Sequence, residues 1–587
     1  MCVKQVPSMS AQMDPETGLL FRASAESAMN PLDFCAVEAG MQILKRHGGE
    51  LIALSMGPQS AQETLRLAMA LGAGRAILLS DKAFAGADAY VTAFTLSQAI
   101  KAIGNVDLVV CGLNTTDGDT AQVPFSLAAQ LGWPSFGWVK LIELEPLAFV
   151  QEQTGTEARA EARLPMVIAV GRISPPRIPT LGAKLAAKRK PLEVWGLNDL
   201  PEKSPEFYGL RASPTRVKKI YATKRERKVL PLELGLNETV KILKGELSDP
   251  KAFIEPVIAT PTQLPDWNGQ AKSGSVLACL QADHRGLCLV SKEMASLLIS
   301  LSQGRFETHG VFIGSDLPKP LEDELLALGL DCVHVCLDND FKIFDARPFS
   351  EAALACVKAL NPAVVLAGAT PEGRALAPAL AAHLRTGVTA DCTGLSLSDN
   401  GELLQIRPAF GGDIMAQILT PQARPQIATV RLGAFSALES AKRSRTKIKR
   451  FQAPHSQVLP LQTLGHFEDE PAKDLVIAIG GGLRDKAAIS LFEKLAEKAN
   501  ASLMCSRCLV ERGWFDQSRQ IGLSGRSVSP KLLVTFGISG SAQFLSGIKG
   551  AKRLVSINLD KDAPILDFAD VPLVGDMREI AERCLEM

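Results

Sequence analysis

The residues best placed to do chemistry lie near the C-terminus. Ser506-Arg507 closes the apolar run Ala501–Met504. Gln520-Ile521-Gly522-Leu523-Ser524-Gly525 is a polar glycine loop. Gly537-Ile538-Ser539-Gly540-Ser541-Ala542-Gln543 is a second glycine–serine turn that opens a helix, and Ser556-Ile557-Asn558 ends another strand. Upstream, Leu475–Ile479 runs into Gly480-Gly481-Gly482. Glycine at a strand end lets backbone N–H groups approach a phosphate. Open α/β sheets bind ligands at the carboxyl ends of their strands. These loops can therefore supply N–H and hydroxyl donors to a pyrophosphate, with Arg507 as a cation and Asn558 as an amide for a ribose or ring edge.

Two cysteine sets have ligand-like spacing, Cys505-Ser506-Arg507-Cys508 and Cys332-Val333-His334-Val335-Cys336. Structural zinc takes four protein ligands, and neither set has a second pair at the right distance. The alternation of Val with Cys and His reads as a strand. No metal is expected at either.

The elements that must position these residues are strands alternating with helices. Leu51–Met56, Ala76–Leu79 and Asp107–Cys111 are short apolar runs ending in turn residues, and Ala61–Leu71 has helical spacing. That pattern is a βαβ series, hence a doubly wound, mostly parallel sheet. The expected division is a nucleotide-binding domain over 1–200, an extended arm and linker over 201–272, a second α/β domain over 273–440, a linker over 441–473 and a last α/β domain over 474–587. The second block should hold strands at Ser275–Leu280, Gly286–Val290, Gly310–Ile313 and Ala363–Ala367. The first two α/β blocks share an echo. Asp107–Cys111, Gly112, Asp117-Gly118 and a helix with Leu127-Ala128-Ala129 match Ala363–Ala367, Gly368, Glu372-Gly373 and a helix with Leu380-Ala381-Ala382. This suggests two related domains, although the pattern is partly generic to βα units.

Bulk properties fit three such domains. The 587 residues are 46% hydrophobic but only 5% aromatic, which suits small-residue α/β packing. A net charge of +1 gives no field that would point to nucleic acid. The basic runs Arg216–Lys228 and Lys442–Arg450 read as solvated faces. No run of 18 apolar residues could span a membrane. The twelve cysteines are scattered and the first residues lack an apolar signal core, so a reducing cytoplasm is expected.

Taken together, the C-terminal motifs resemble the FAD domain of the electron transfer flavoprotein α subunit. Matching segments are Ser506-Arg507, Gln520–Gly525, Gly537–Gln543, Ser556–Asp560 and Ala563-Pro564-Ile565. The block before it is similar to the same subunit in Thr370–Arg374, Thr386–Cys392, Arg407–Gly412 and Ala428–Arg431. The N-terminal block resembles the β subunit in Val3–Pro7, Asn30-Pro31 with Asp33, Ser55–Pro58 and Asp117–Gln122. The resemblance covers nearly the whole chain and describes a fused β–α electron transfer flavoprotein.

That resemblance implies an FAD held by Ser506, Arg507, Gln520, Gly522, Ser524, Gly525, Gly537, Ser539, Gly540, Gln543, Asn558 and Asp570. Arg507 would favour reduced, anionic flavin by its charge, Ser539 and Gln543 would hold the ribityl and pyrophosphate, and Asn558 and Asp570 the adenosine half. A second nucleotide would lie by Ser55, Gly57, Asp117, Gly118, Asp119, Thr120 and Gln122. It could be a second FAD or AMP, or the site could be bare; the Asp117–Thr120 loop favours FAD, whereas Ala89 and Val91 depart from the pattern. Leu181, beside Lys184, Lys188 and Arg189, falls where the family has a partner-docking leucine; a buried packing role is the alternative. The implied function is a carrier taking electrons from a flavin dehydrogenase of the acyl-CoA dehydrogenase type, as in fatty-acid β-oxidation, for another redox partner. No catalytic acid, base or nucleophile is needed. The alternatives are an electron-bifurcating NADH oxidiser with two FAD, or a nucleotide binder that has lost redox function.

Four departures stand out. The first strand has few residues before Val3-Lys4-Gln5-Val6-Pro7. Leu523-Ser524 replaces Gln-Thr in the flavin loop. Phe544 replaces a His, which with Leu523 should lower the flavin's potential. Pro124-Phe125 replaces Gly-Pro, and the ring should crowd the second nucleotide's phosphate.

Overall fold

The computed structural model describes residues 1–7, 27–171, 177–222, 234–248, 274–398, 401–409, 414–437, 446–466, 473–522, 528, 530–548 and 550–586. Two compact units emerge. One joins Met1–Tyr221 to Pro256–Glu468, and the other joins Ala222–Glu255 to Asp469–Met587.

The first unit contains two halves with one topology. In chain order, the parallel strands of the N-terminal half are a bridge at Cys2, then Ile52–Met56, Arg75–Leu79, Leu108–Gly112, Ser135–Leu144, Met166–Val170 and Glu193–Trp195. Those of the other half are Ser275–Leu280, Glu307–Gly314, Cys332–Leu337, Val364–Gly368, Val388–Cys392, Gln426–Val430 and Lys447–Phe451. In both, the spatial order is fifth, sixth, fourth, first, second, third, seventh. The central strands are apolar on both faces, as helix-covered parallel strands must be; every residue of Met166–Val170 and Val364–Gly368 is buried. The echo seen in the sequence is thus a repeat of the whole fold. The first strand of the N-terminal half is reduced to Cys2, which bridges Leu54 on one side and Cys111 on the other.

The halves are cross-strapped. Helices Val123–Leu131 and Pro371–Leu384, which follow the fourth strand of each half, pack together, with Phe125 against Ala375. Leu461–His466, beyond the seventh strand of the second half, pairs antiparallel with Thr156–Glu161 of the first. In return Arg216–Ala222, beyond the seventh strand of the first half, joins the Ile414–Leu419 strand of the second.

Three expected elements differ. Gly286–Val290 is not a strand: Gly286-Leu287 makes a two-residue pairing and a buried helix runs over Leu289–Ser302. The short apolar run could not tell the two apart. The supposed arm holds a helix, Leu236–Ser248, whose Val240 and Leu243 lie in the core of the second unit. The supposed linker over 441–473 contains the Lys447–Phe451 and Leu461–His466 strands, whose basic or polar residues suit sheet edges.

The second unit is one parallel sheet. Its strands are Leu475–Ile479, Ser502–Ser506, Gln520–Ile521, Leu532–Phe536, Arg553–Asn558 and Val571–Val574. Their spatial order is third, second, first, fourth, fifth, sixth, the dinucleotide-fold order. The order reverses between Leu475–Ile479 and Leu532–Phe536. All residues of both strands are buried.

Candidate functional site

The crevice of the second unit opens where the strand order reverses, and two glycine loops form it. Gly480 N donates to Phe536 O at 2.9 Å and Gly482 N to Gly537 O at 2.9 Å. A Cβ on Gly480 would lie 2.5 Å from Gly537 O, so the loops touch backbone to backbone. Gly537 also takes a left-handed φ of 62°. Bare backbone at the carboxyl edge is what a pyrophosphate needs, and the residues present fit an FAD.

Other predicted residues gather around these loops. Asn558 donates from Nδ2 to Ile538 O at 2.8 Å and accepts from Asp560 N at 3.0 Å, so it pins the Gly537–Gly540 loop. Gly540 lies against Ile565, with room for no Cβ: one would lie 2.4 Å from Ile565 N. Ser539 is exposed beside it. Gln543 lies in the helix Ala542–Gly547, which Ser541 caps. Ser506 ends its strand, with Oγ 3.1 Å from Cys508 Sγ. Arg507 begins the next helix and pairs with Glu511 at 2.6 Å; both side chains are exposed. Gln520 is buried, in register with Cys505, and Gly522 follows its strand. Ser524, Gly525 and Leu523 lie outside the described residues.

One expectation at this crevice is corrected. Asp570 stands at the opposite edge, before the last strand, where its carboxylate accepts from Leu554 N at 2.7 Å. The carboxylate at the crevice edge is Asp576, which sequence reading missed. Gly575 N donates to Asn558 O at 3.0 Å, which sets Asp576 beside Asn558. Its Oδ1 caps the last helix, accepting from Arg578 N at 2.8 Å. The available signal was an acid one glycine beyond an apolar strand and directly before an amphipathic helix. Phe544 is buried in the apolar cluster with Ile538, Ile548 and Ile565. Its ring fills the core under the helix.

A second crevice lies in the N-terminal half, where strand order reverses between Cys2 and Leu108–Gly112. Lys4 N donates to Asp33 Oδ2 at 2.7 Å, and Asn30 Nδ2 donates to Asp33 Oδ1 at 3.0 Å and Asn114 O at 2.8 Å. Burial pushes the Asp33 carboxyl up to about 7, although Asn30 and Lys4 hold it down. Ser55, at the end of Ile52–Met56, is buried with no partner for its Oγ among the described residues. Gly57 N donates to Leu79 O at 3.0 Å. Asp117 pairs with Lys4 at 2.7 Å, and although burial opposes ionisation, Lys4 keeps its carboxyl below the usual range. Gly118 N donates to Asp117 Oδ1 at 2.8 Å. Asp119 accepts from Asn114 Nδ2, and Thr120 is half-buried beside it. An orphaned hydroxyl and a carboxylate–amide cluster at a switch point fit the ribose side of a nucleotide.

Gln122 departs from its expected role: its Nε2 donates to Val388 O in the other half at 2.9 Å. Phe125 also departs. Its ring stacks on Trp138 at 5.5 Å and reaches Ala375, away from the loop, so it does not crowd a phosphate there.

Leu181 begins the helix Leu181–Arg189 and is 73% exposed; Ile178 is 90% exposed. The packing alternative for Leu181 is therefore set aside. Lys184, Lys188 and Arg189 are exposed on the same helix. Among the described residues no helix is long and apolar enough to cross a membrane.

Comparison with known proteins identifies the family. The electron transfer flavoprotein domain matches residues 17–200 and 282–456, and the electron transfer flavoprotein FAD-binding domain matches 471–549. Over 285 residues the chain is 39% identical to lactate dehydrogenase (NAD(+),ferredoxin) subunit LctC of Acetobacterium woodii, spanning 48% of this chain and 68% of that one. It is 34% identical over 283 residues to the electron transfer flavoprotein subunit alpha of Thermoanaerobacterium thermosaccharolyticum, spanning 47% and 86%. It is 38% identical over 261 residues to protein FixB of Rhizobium meliloti, spanning 43% and 74%. The repeated halves and the dinucleotide-type sheet after them are thus accounted for together: this chain belongs to the electron transfer flavoprotein family, with β-like and α-like parts fused.

Proposed function

We propose that this chain passes electrons between NADH and protein partners through two nucleotide sites, in the manner of an electron-bifurcating flavoprotein. One FAD sits in the Gly480–Asp576 crevice and a second beside Asp33 and Ser55. The observation that carries this reading is the 39% identity to a subunit named for an NAD(+)- and ferredoxin-linked dehydrogenase. The unpartnered Ser55 Oγ supports a ligand in the second crevice. Bound flavin supplies the electron chemistry. The protein's part is to hold and tune it: the Gly480 and Gly537 loops would hold the pyrophosphate, Asn558 and Asp576 the adenosine half, and Arg507 would supply a positive charge for the reduced ring. Leu181 and Ile178 form a docking knob for a partner dehydrogenase.

A second reading is a plain carrier fed by a dehydrogenase of the acyl-CoA dehydrogenase type, with AMP in the second crevice. The engagement of Asp117 by Lys4 and of Gln122 by Val388 favours it, because fewer groups are left for a large ligand. Anaerobic addition of NADH to the isolated protein tests the two. Bleaching of the flavin, with two FAD extracted per chain, is expected. No bleaching, with one FAD and one AMP, selects the plain carrier.

A further inference from the structure

A cluster unrelated to either crevice lies at the amino edge of the second half's sheet. Cys332 and His334 are two residues apart on one strand, so both project from the same face. His309 is on the neighbouring parallel strand, in register with Cys332. Their ligand atoms all lie within 4.8 Å of one another. The strand offers Cys332, His334 and Cys336 at alternate positions; the fold brings His309, 23 residues before Cys332 and in register with it, against the first two.

The geometry of the nitrogens is specific. His309 Nδ1 and His334 Nε2 are 3.2 Å apart. Two nitrogens bound to one tetrahedral zinc ion at its usual bond length stand about 3.3 Å apart. His309 Nε2 is 3.2 Å from Glu307 Oε2. Donation of that N–H to the carboxylate leaves Nδ1 bare and fixes the ring, as outer carboxylates do for metal-binding imidazoles. Burial favours the neutral, ligating form of both rings: His334 is lowered to about 4, and His309 is lowered despite Glu307. His309 and Cys332 are buried, and His334 is half-buried, which leaves an approach from solvent. Two lysines oppose a cation, Lys447 in register with Cys332 and Lys449 in register with His334, and burial raises the Cys332 thiol; both lysines are exposed, so their ammoniums can turn outward.

We propose that His309, Cys332 and His334 bind a borderline-soft divalent ion, of the zinc class, with water as the fourth ligand. Two imidazoles and a thiolate select zinc or cobalt over magnesium and calcium. On binding, the Cys332 thiol proton leaves to solvent and the His334 proton moves from Nε2 to Nδ1. The ion then pins strand Glu307–Gly314 to strand Cys332–Leu337. It acts on the rigidity of the sheet from its amino edge.

Cobalt(II) titration of the full-length, flavin-loaded protein after chelator treatment tests this. Tetrahedral cobalt absorbs in the red, beyond oxidised flavin. The expected result is saturation at one cobalt per chain, displacement by one equivalent of zinc, and unchanged flavin content. Glu307→Gln should weaken binding by about 10–100-fold with the stoichiometry kept. Cys332→Ser should remove the thiolate charge-transfer band, and His334→Gln should weaken binding more than Glu307→Gln does. Absence of a tetrahedral spectrum would overturn the proposal, as would isotherms unchanged in both Cys332→Ser and His334→Gln. Should those two variants fail to fold, an unchanged isotherm in Glu307→Gln, which removes no ligand, also counts against it.

Discussion

Arg407 donates from Nη2 to the carbonyl oxygen of Gly118 at 2.7 Å, tying a strand of one half to the Asp117–Thr120 loop of the other. The tie has a mirror. Thr154, in the hairpin of the first half, donates from N and Oγ1 to the Glu372 carboxylate at 2.6 and 2.7 Å, at the matching loop of the second. Because the halves share one strand order, each sends its hairpin to the turn after the other's fourth strand. The contacted loop is under backbone strain: Asp119 and Ala121 hold φ of 48° and 52°. Such conformations persist only where surroundings over-determine them. Nearby, Asp391 is paired with Arg374 at 3.1 Å and with Arg431. It is buried, yet those guanidiniums hold its carboxyl well below the usual range.

Replacing Arg407 should therefore loosen the second crevice without touching the first. Arg407 is 7% exposed, and Arg407→Met removes the Gly118 bond while roughly keeping the stem volume. A loss of about 1–3 kcal/mol is expected from the orphaned carbonyl. Nucleotide extracted from the N-terminal half should fall, and FAD bound by the second unit should stay. Urea melts and cofactor counts read both. Equal loss of both nucleotides would refute the assignment.

The helix Leu236–Ser248 should be essential to the second unit. Leu243 is fully buried there, and Glu246 meets Arg553 at 2.7 and 2.5 Å. Leu243→Ala should cost about 2–5 kcal/mol. The loss should appear in the transition that releases FAD, followed by flavin fluorescence during urea unfolding. A change confined to an FAD-independent transition would contradict it.

How far the sequence reached is clear from these same segments. Strands such as Leu475–Ile479 and Val364–Gly368 could be read because burial on both faces leaves an unbroken apolar run between turn residues. The crevice loops could be read for the same reason, since glycine there answers a local backbone need. What could not be read depends on distant partners. Leu236–Ser248 has charged residues on its outer face, and its apolar stripe means little until the sheet it covers is known. Lys447–Phe451 is an edge strand with exposed lysines, and in sequence that is a basic linker. Gln122 looked like a ligand because its motif is local, but its partner is Val388.

Stability of the first unit should fall as pH rises through the weakly acidic range. Glu293 is 3% exposed, and burial raises its carboxyl to about 7 although Gly433 N, at 3.1 Å, donates to it. The folded state thus keeps a proton that the unfolded chain loses at about 4.3. Stability from this group is complete below about pH 4.3 and is lost as pH rises to about 7, by at most about 1.4 kcal/mol per pH unit. Asp33, raised to about 7, and Asp345, raised to about 6, act in the same sense. Glu293→Gln keeps an acceptor for Gly433 and removes the titration. Its denaturation midpoint should drop less than the wild type's between those pH values, and parallel profiles would sink the idea.

Asp570 and Asp576 separate structure from cofactor binding in one unit. Asp570 holds Leu554 N at the amino edge of the sheet, whereas Asp576 stands beside Asn558 at the carboxyl edge. Asp570→Asn should cost about 1 kcal/mol of stability, because one strand-end hydrogen bond is weakened, and should leave FAD affinity near that of the wild type. Asp576→Asn keeps a competent helix cap but exchanges a carboxylate acceptor for an amide at the ligand edge. Its melt in the absence of FAD should match the wild type's, while FAD should bind about tenfold more weakly, equivalent to about 1.4 kcal/mol. Equilibrium dialysis against FAD, paired with melts of the stripped protein, measures both. If Asp570→Asn is the variant that loses FAD at unchanged apo stability, the carboxylate at the amino edge is the ligand and the assignment of Asp576 fails.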